Sequence, residues 1–228
     1  MIDGLFLALG QLGDPVFRRV LLRSLFWSLV LVVLATWGVG WAVQFIPPTG
    51  YGWLDTAIHW LSTGSFLVLV WFIFPAVAGL VISLYLDDIA EAVERRHYPN
   101  DPPGQPLPVA AALSYGIRFG LLVLVVNLVA LPFYLLALLA AGAGLLLYYA
   151  VNGYLLGREY FELAALRQTD PRQATLIRKR FGSRIFVIGL LVAFAFTVPV
   201  LNLLAPLIAT AWMVHVFKAL KTKADFVS

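Results

Sequence analysis

Long apolar runs separated by short polar stretches set the pattern of this chain, and each run is longer and more uniformly apolar than a strand of a soluble sheet. Residues 1–13 mix apolar with small positions (Leu5, Phe6, Leu7, Leu9, Leu12) and are too few to cross a hydrocarbon core of about 30 Å, which predicts an interfacial helix. Gly13-Asp14-Pro15 then reads as a helix start, with Asp14 as N-cap and Pro15 at the first helical position, where a missing N–H costs nothing. The helix it opens, over 15–46, is long enough to span, and Pro47-Pro48-Thr49-Gly50 ends it. Trp53 and Trp60 in the following loop suit a membrane interface. A second long helix is expected over 66–96, apolar to Leu86 and polar beyond, broken by Tyr98-Pro99-Asn100-Asp101-Pro102-Pro103-Gly104.

The next two runs, 119–150 and 185–217, have an awkward length. Each exceeds the about 20 residues of one crossing and falls short of two crossings with a turn. Both carry helix breakers near the middle, Pro132 in the first and Pro199, Asn202 and Pro206 in the second. Re-entrant helical hairpins satisfy both facts, and six full spans are the alternative. The expected fold is therefore an all-α integral membrane protein: two long transmembrane helices, two Pro/Asn-broken re-entrant hairpins and an N-terminal interfacial helix, in one membrane domain over 1–228.

Composition and charge strengthen that picture. Hydrophobic residues make up 61% of the chain and charged ones 12%, about half the share of a soluble domain. No Lys or Arg occurs from Leu25 to Glu94, and no ionisable group other than Tyr from Phe119 to Gly157 or from Ile185 to Val214. Had 119–150 crossed once, the basic residues from Arg158 to Arg184 would lie opposite the other basic loops, against the positive-inside bias. Two hairpins put Arg18, Arg19 and Arg23, the 95–118 loop, the 157–184 loop and Lys218 to Lys223 on one face. The absence of Cys excludes a disulfide framework and thiol chemistry. The first 24 residues lack a basic n-region and a cleavage site, so no cleaved secretory signal is expected.

Catalytic chemistry finds no foothold. His59, His97 and His215 are scattered without metal-site spacing, and no nucleophile-elbow, phosphate-loop or dinucleotide fingerprint occurs, so neither an enzyme nor a cofactor is expected, nor a nucleic-acid partner. The candidate site is the helix start Pro15-Val16-Phe17-Arg18-Arg19. First-turn amides lack intrahelical partners and the macrodipole puts partial positive charge there, so backbone N–H groups and two arginine forks suit an oxyanion. The alternative is that Arg18, Arg19 and Arg23 anchor the helix at headgroups while Asp14 caps the same amides. Asp87, Glu91 and Glu94, at spacings of four and three, precede Arg95 and Arg96, while Arg158-Glu159 with Glu162 follows the first hairpin. These groups read either as self-paired surface charge or as a charged network at an oligomer's entrance, drawn from Glu91, Glu94, Arg96, Arg158 and Glu159. With no carboxylate inside the apolar runs, passage lined by backbone and by Asn127, Asn152 and Asn202 is favoured over proton-coupled pumping.

The run from Gly153 to Arg167 (Gly-Tyr-Leu-Leu-Gly-Arg-Glu-Tyr-Phe-Glu-Leu-Ala-Ala-Leu-Arg) and Pro199-Val-Leu-Asn202-Leu-Leu-Ala-Pro206 resemble the CysZ-type sulfate permease family, the etoposide-induced membrane-protein domain family. Ala90 to Arg96 is similar to that family's charged helix end, and Pro15 to Arg19 stands where the family has Pro-Gly-Leu-Arg-Arg. The resemblance implies sulfate permeation across the bacterial inner membrane for cysteine biosynthesis, through homo-oligomers of protomers with two long helices and two partly inserted hairpins. It also implies sulfate held by the Phe17 backbone N–H and the Arg18 and Arg19 side chains, with Val16 replacing the family's glycine. The other functional class is a non-transporting structural protein whose basic face binds anionic lipid.

Overall fold

The computed structural model describes residues 2–45, 47, 50–57, 60, 74–106, 108–137 and 143–225. Among them the chain is helical and strand-free: α1 (Ile2–Gly10), α2 (Pro15–Val43), α3 (Phe74–Ser83), α4 (Leu86–His97), α5 (Val109–Ala137), α6 (Ala143–Leu166), α7 (Pro171–Arg180), α8 (Gly182–Thr197) and α9 (Pro199–Asp225). Two described helices are long and apolar enough to cross a membrane, over Pro15–Ala42 and Leu201–Ala224. They sit differently. Only 22% of the most apolar stretch of α2 is buried, against 78% of that of α9, so α2 is peripheral and α9 is the central post.

The sequence explains both. On α2, Phe17, Val20, Ser24, Ser28 and Val32 recur at spacings of three and four and form one buried stripe, whereas Leu22, Phe26, Trp27, Leu34 and Trp37 stand exposed on the rest of the surface. The two serines in that stripe donate to carbonyls one turn back, Ser24 Oγ to Val20 at 2.8 Å and Ser28 Oγ to Ser24 at 2.6 Å, so no hydroxyl is left unsatisfied in apolar surroundings. The α2 stripe packs mainly on α3. Helix α9 is apolar nearly all round, with Ala209, Ala211, Met213, Val216 and Phe217 buried, and it touches α1, α3, α4, α6 and α8.

The expected second long helix over 66–96 falls partly on 61–73, outside the described residues. Its described part is two helices, because the chain turns at Leu84 and Tyr85 before α4 begins. Helix α4 carries Asp87 and Asp88 in its first turn and Arg95, Arg96 and His97 in its last, the arrangement that complements a helix dipole.

Both hairpin runs are helix pairs, with longer arms than the apolar limits suggested. Helices α5 and α6 pack together, and the 138–142 connection lies outside the described residues. Pro132 lies inside α5, not at the break. The other turn falls at Val198, with Pro199 opening α9, Asn202 donating its backbone N–H to the Val198 carbonyl, and Pro206 inside the helix. At 16 residues α8 is about 24 Å long, short of the about 30 Å core.

The 157–184 stretch, read from sequence as a loop, is mostly helical: α6 continues to Leu166, and α7 meets α8 at 87° across Phe181. The tightest packing is α6 on α8. A Cβ on Gly157 would lie 2.7 Å from the Ile185 carbonyl oxygen, one on Gly153 3.1 Å from Leu190 Cα, and one on Gly189 would run into the Gly153 carbonyl oxygen. These three glycines let the two backbones touch.

Candidate functional site

The start of α2 forms as the Asp-Pro pair dictates. Asp14 is extended (φ −63°, ψ 138°) and its Oδ1 accepts the Val16 N–H at 2.9 Å, while its carbonyl accepts the Arg18 N–H at 3.0 Å. Pro15 has no N–H. Phe17 N–H is therefore the one first-turn amide without a partner among the described residues. The Phe17 ring is buried, 1% exposed, which fixes the turn, and Arg18 and Arg19 project as exposed side chains on either side of that anchor. A second helix contributes here: Arg96, at the end of α4, places Nη1 3.6 Å from Asp14 Oδ2. The site thus combines one amide and three guanidinium groups with one carboxylate, and the ion pair with Arg96 offsets part of that carboxylate's charge.

The residues grouped from sequence as an entrance network fall into separate sets. Glu91 pairs along its own helix with Arg95 at 3.4 Å, both exposed. Arg96 belongs to the α2 start. Glu94 is buried and holds Arg167, which lies at the end of α6 with its side chain 3% exposed. Arg167 donates to Asp87 at 2.7 Å and to Glu94 at 3.1 Å, and Gln168 Nε2 adds a bond to Glu94 at 3.0 Å. Burial opposes the Arg167 charge, but the hydrogen bonds to Glu94 and Asp87 outweigh it and raise its pKa above the ordinary arginine value. The Gln105 N–H donates to the Arg167 carbonyl at 2.8 Å, so the same residue pins the proline-rich connection after α4. A Cβ on Gly104 would lie 2.6 Å from Glu94 Oε1, so a larger residue there would displace the Glu94 carboxylate.

Arg158 is in a third set. Its Nε lies 3.1 Å from Glu162 Oε1, the same oxygen that Arg178 of α7 approaches to 3.0 Å. Glu159, beside it, makes no ion pair among the described residues.

The histidines are less scattered than their spacing suggests. His97 and His215 stack edge to face with centroids 5.0 Å apart, and Tyr98 Oη bonds His215 Nδ1 at 2.8 Å. Lys218 reaches Asp101 at 2.7 Å and lies over the Tyr98 ring. Burial, then the charge of Arg96, lowers the His97 pKa; burial, then Asp101, raises that of Tyr98. His59 lies outside the described residues, among which no group of three or more His, Cys, Asp or Glu side chains converges as a metal site.

Sequence reasoning found the α2 start but missed the Asp14 to Arg96 link and the depth of Arg167. No local signal could have shown either, since both join residues about 80 positions apart. A missed local signal does exist at Asp170-Pro171, which repeats Asp14-Pro15 and caps α7, with Asp170 Oδ1 accepting from Arg172 and Gln173 at 2.8 and 3.0 Å.

Residues 4–206 match the family model described as Sulfate transporter CysZ/Etoposide-induced protein 2.4. The chain belongs to that family. The match runs from α1 into α9, so the CysZ/etoposide-induced family region includes the α2 start, the Arg167 set and the turn at Val198. No curated protein matches the chain. Membership gives the chain membrane and transporter-family character, and the helical architecture agrees, with two apolar spans and a sharply bent helix pair among the described residues.

Proposed function

We propose that this CysZ-family chain passes sulfate, or a tetrahedral oxyanion of the same charge, by channel-like permeation, as a homo-oligomer in the bacterial inner membrane that supplies cysteine biosynthesis. The supporting observation is the start of α2, where the unpartnered Phe17 N–H stands beside exposed Arg18 and Arg19, with Arg96 brought in from α4. Backbone N–H and planar guanidinium forks are the donors that fit a sulfate oxygen set, and the dipole of α2 adds to them. No ionised carboxylate lies in the charge-free runs, which favours passive passage over proton coupling. The two spans found among the described residues do not enclose a pore in one protomer, so several protomers are invoked.

Purified protein in liposomes should admit labelled sulfate saturably. Each charge-assisted hydrogen bond contributes about 1.5–3 kcal/mol, so Arg18→Ala with Arg19→Ala should cut uptake at low sulfate by at least about tenfold. Equal uptake by empty and protein-bearing vesicles would overturn the reading. Val16→Gly, restoring the residue expected of the family at that position, should tighten sulfate binding.

A further inference from the structure

Buried polar atoms without partners are rare in a folded chain, and three side chains at one junction carry them. Gln11, 1% exposed, has neither its Nε2 nor its Oε1 hydrogen-bonded, and His97 and His215 each bury an Nε2 that has no partner among the described residues. The two histidine rings, from α4 and α9, lie 5.0 Å apart. On the buried side of the N-terminal segment, Gly4, Ala8 and Gln11 recur at spacings of four and three. Gly4 lies against the His215 Cβ, and Asp14, three residues past Gln11, pairs with Arg96, the neighbour of His97. Gln11 therefore sits on the stretch of chain that runs from one histidine to the other.

An edge-to-face ring contact would explain the 5.0 Å alone, but not why both Nε2 atoms are buried with nothing to bond. Two imidazoles bound to one zinc at about 2.0–2.1 Å place their ring centres about 5 Å apart, so the pair has the separation of a shared ligand set. His215 also has the support that ligating histidines receive. Its Nδ1 is bonded to Tyr98 Oη at 2.8 Å, which orients the ring and leaves Nε2 as the free nitrogen. Burial, then the charge of Arg96, lowers the His97 pKa and keeps that ring in the neutral form that ligates. The neighbouring cations are offset, Lys218 by Asp101 at 2.7 Å and Arg96 by Asp14 at 3.6 Å.

We propose that His97 Nε2, His215 Nε2 and the Gln11 amide oxygen form a binding site for a divalent transition-metal ion of the zinc class, with water as the fourth ligand. Imidazole nitrogen selects such an ion over the hard cations magnesium and calcium, which take oxygen. Bound there, the ion joins the N-terminal segment to α4 and α9 just ahead of the α2 start, and it stabilises the folded chain by mass action. The assignment is independent of which anion the transporter passes.

The test uses the full-length protein in detergent, free of any polyhistidine tag and stripped by chelator, titrated with zinc chloride in competition with a chromophoric chelator and followed by thermal unfolding. Wild type should bind one zinc per chain and unfold at a higher temperature with zinc, while millimolar magnesium changes neither. His97→Gln and His215→Gln should each weaken zinc binding at least about tenfold, a gap of about 1.4 kcal/mol or more. His59→Gln, which removes the one other histidine of the chain, should leave affinity within about twofold. Gln11→Glu puts a carboxylate where the amide stands and should tighten zinc binding at least about tenfold, a gain that a purely structural glutamine would not give. Unfolding in chelator alone checks that each variant folds. No zinc bound by wild type, an equal loss in His59→Gln, unaltered affinity in His97→Gln or His215→Gln, or no gain in Gln11→Glu would overturn the site.

Discussion

Asp14 both builds the start of α2 and opposes its use. Its carboxylate occupies the Val16 amide and brings a negative charge beside Arg18 and Arg19. Asn caps a helix about as well as Asp, so Asp14→Asn should keep stability within about 0.5 kcal/mol while removing that charge, and calorimetry should show sulfate bound several-fold more tightly. Unchanged affinity would place the anion elsewhere. Arg167 poses the opposite case, a cation that matters by being buried. Removing one partner of a buried pair strands the other, at a cost of about 3–5 kcal/mol, so Arg167→Met should lower the unfolding temperature sharply. Arg167→Lys should not restore it, because a single ammonium cannot engage Asp87 and Glu94 as the fork does. His97 gives a pH signature. Its folded pKa lies below the unfolded 6.5, so below that value the unfolded chain takes up a proton the folded one resists, and stability falls with acidification. With Arg96 adjacent and the His215 ring against it, His97→Gln should flatten the drop in unfolding temperature between about pH 7.5 and 5.5.

The elements divide into those that local rules reveal and those they do not. Asp14-Pro15 announced α2, and Asp170-Pro171 carries the same information for α7, although the charged 157–184 stretch reads first as a loop. The break before α4 has neither Gly nor Pro at Leu84 and Tyr85, so only the change from apolar to charged sequence marks it. Proline misleads in the opposite direction. Pro132 and Pro206 stay inside helices, as prolines in apolar helices do when neighbouring groups take up the freed carbonyls. Glycine at the α6 to α8 contact was legible as residue type but not as role, because Gly189 meets Gly153 and Gly157 only after the turn between elements is made. Gly189→Ala forces a methyl into backbone and should cost about 1–3 kcal/mol, measured as a fall in unfolding temperature, whereas Gly182→Ala, with open space around it, should change little.

At the scale of the molecule, the uninterrupted apolar runs and segregated charge identify the class, and their lengths suggest paired helices. Which helix occupies the middle was not legible, since α2 and α9 are both apolar and their burial depends on partners distant in sequence. Arg167 likewise ties the end of α6 to α4 and to the connection at Gly104 and Gln105. The central position of α9 has a consequence in time. Helix α1 rests on it, with Gly4 so close that a Cβ there would lie 3.0 Å from His215 Cβ and 3.3 Å from the Trp212 ring. During synthesis α1 emerges before the surface that receives it, and contacts between such distant parts of a chain form slowly. Helix α1 therefore meets its main packing partner only once α9 has been made, and until then the face around Gly4 stays uncovered.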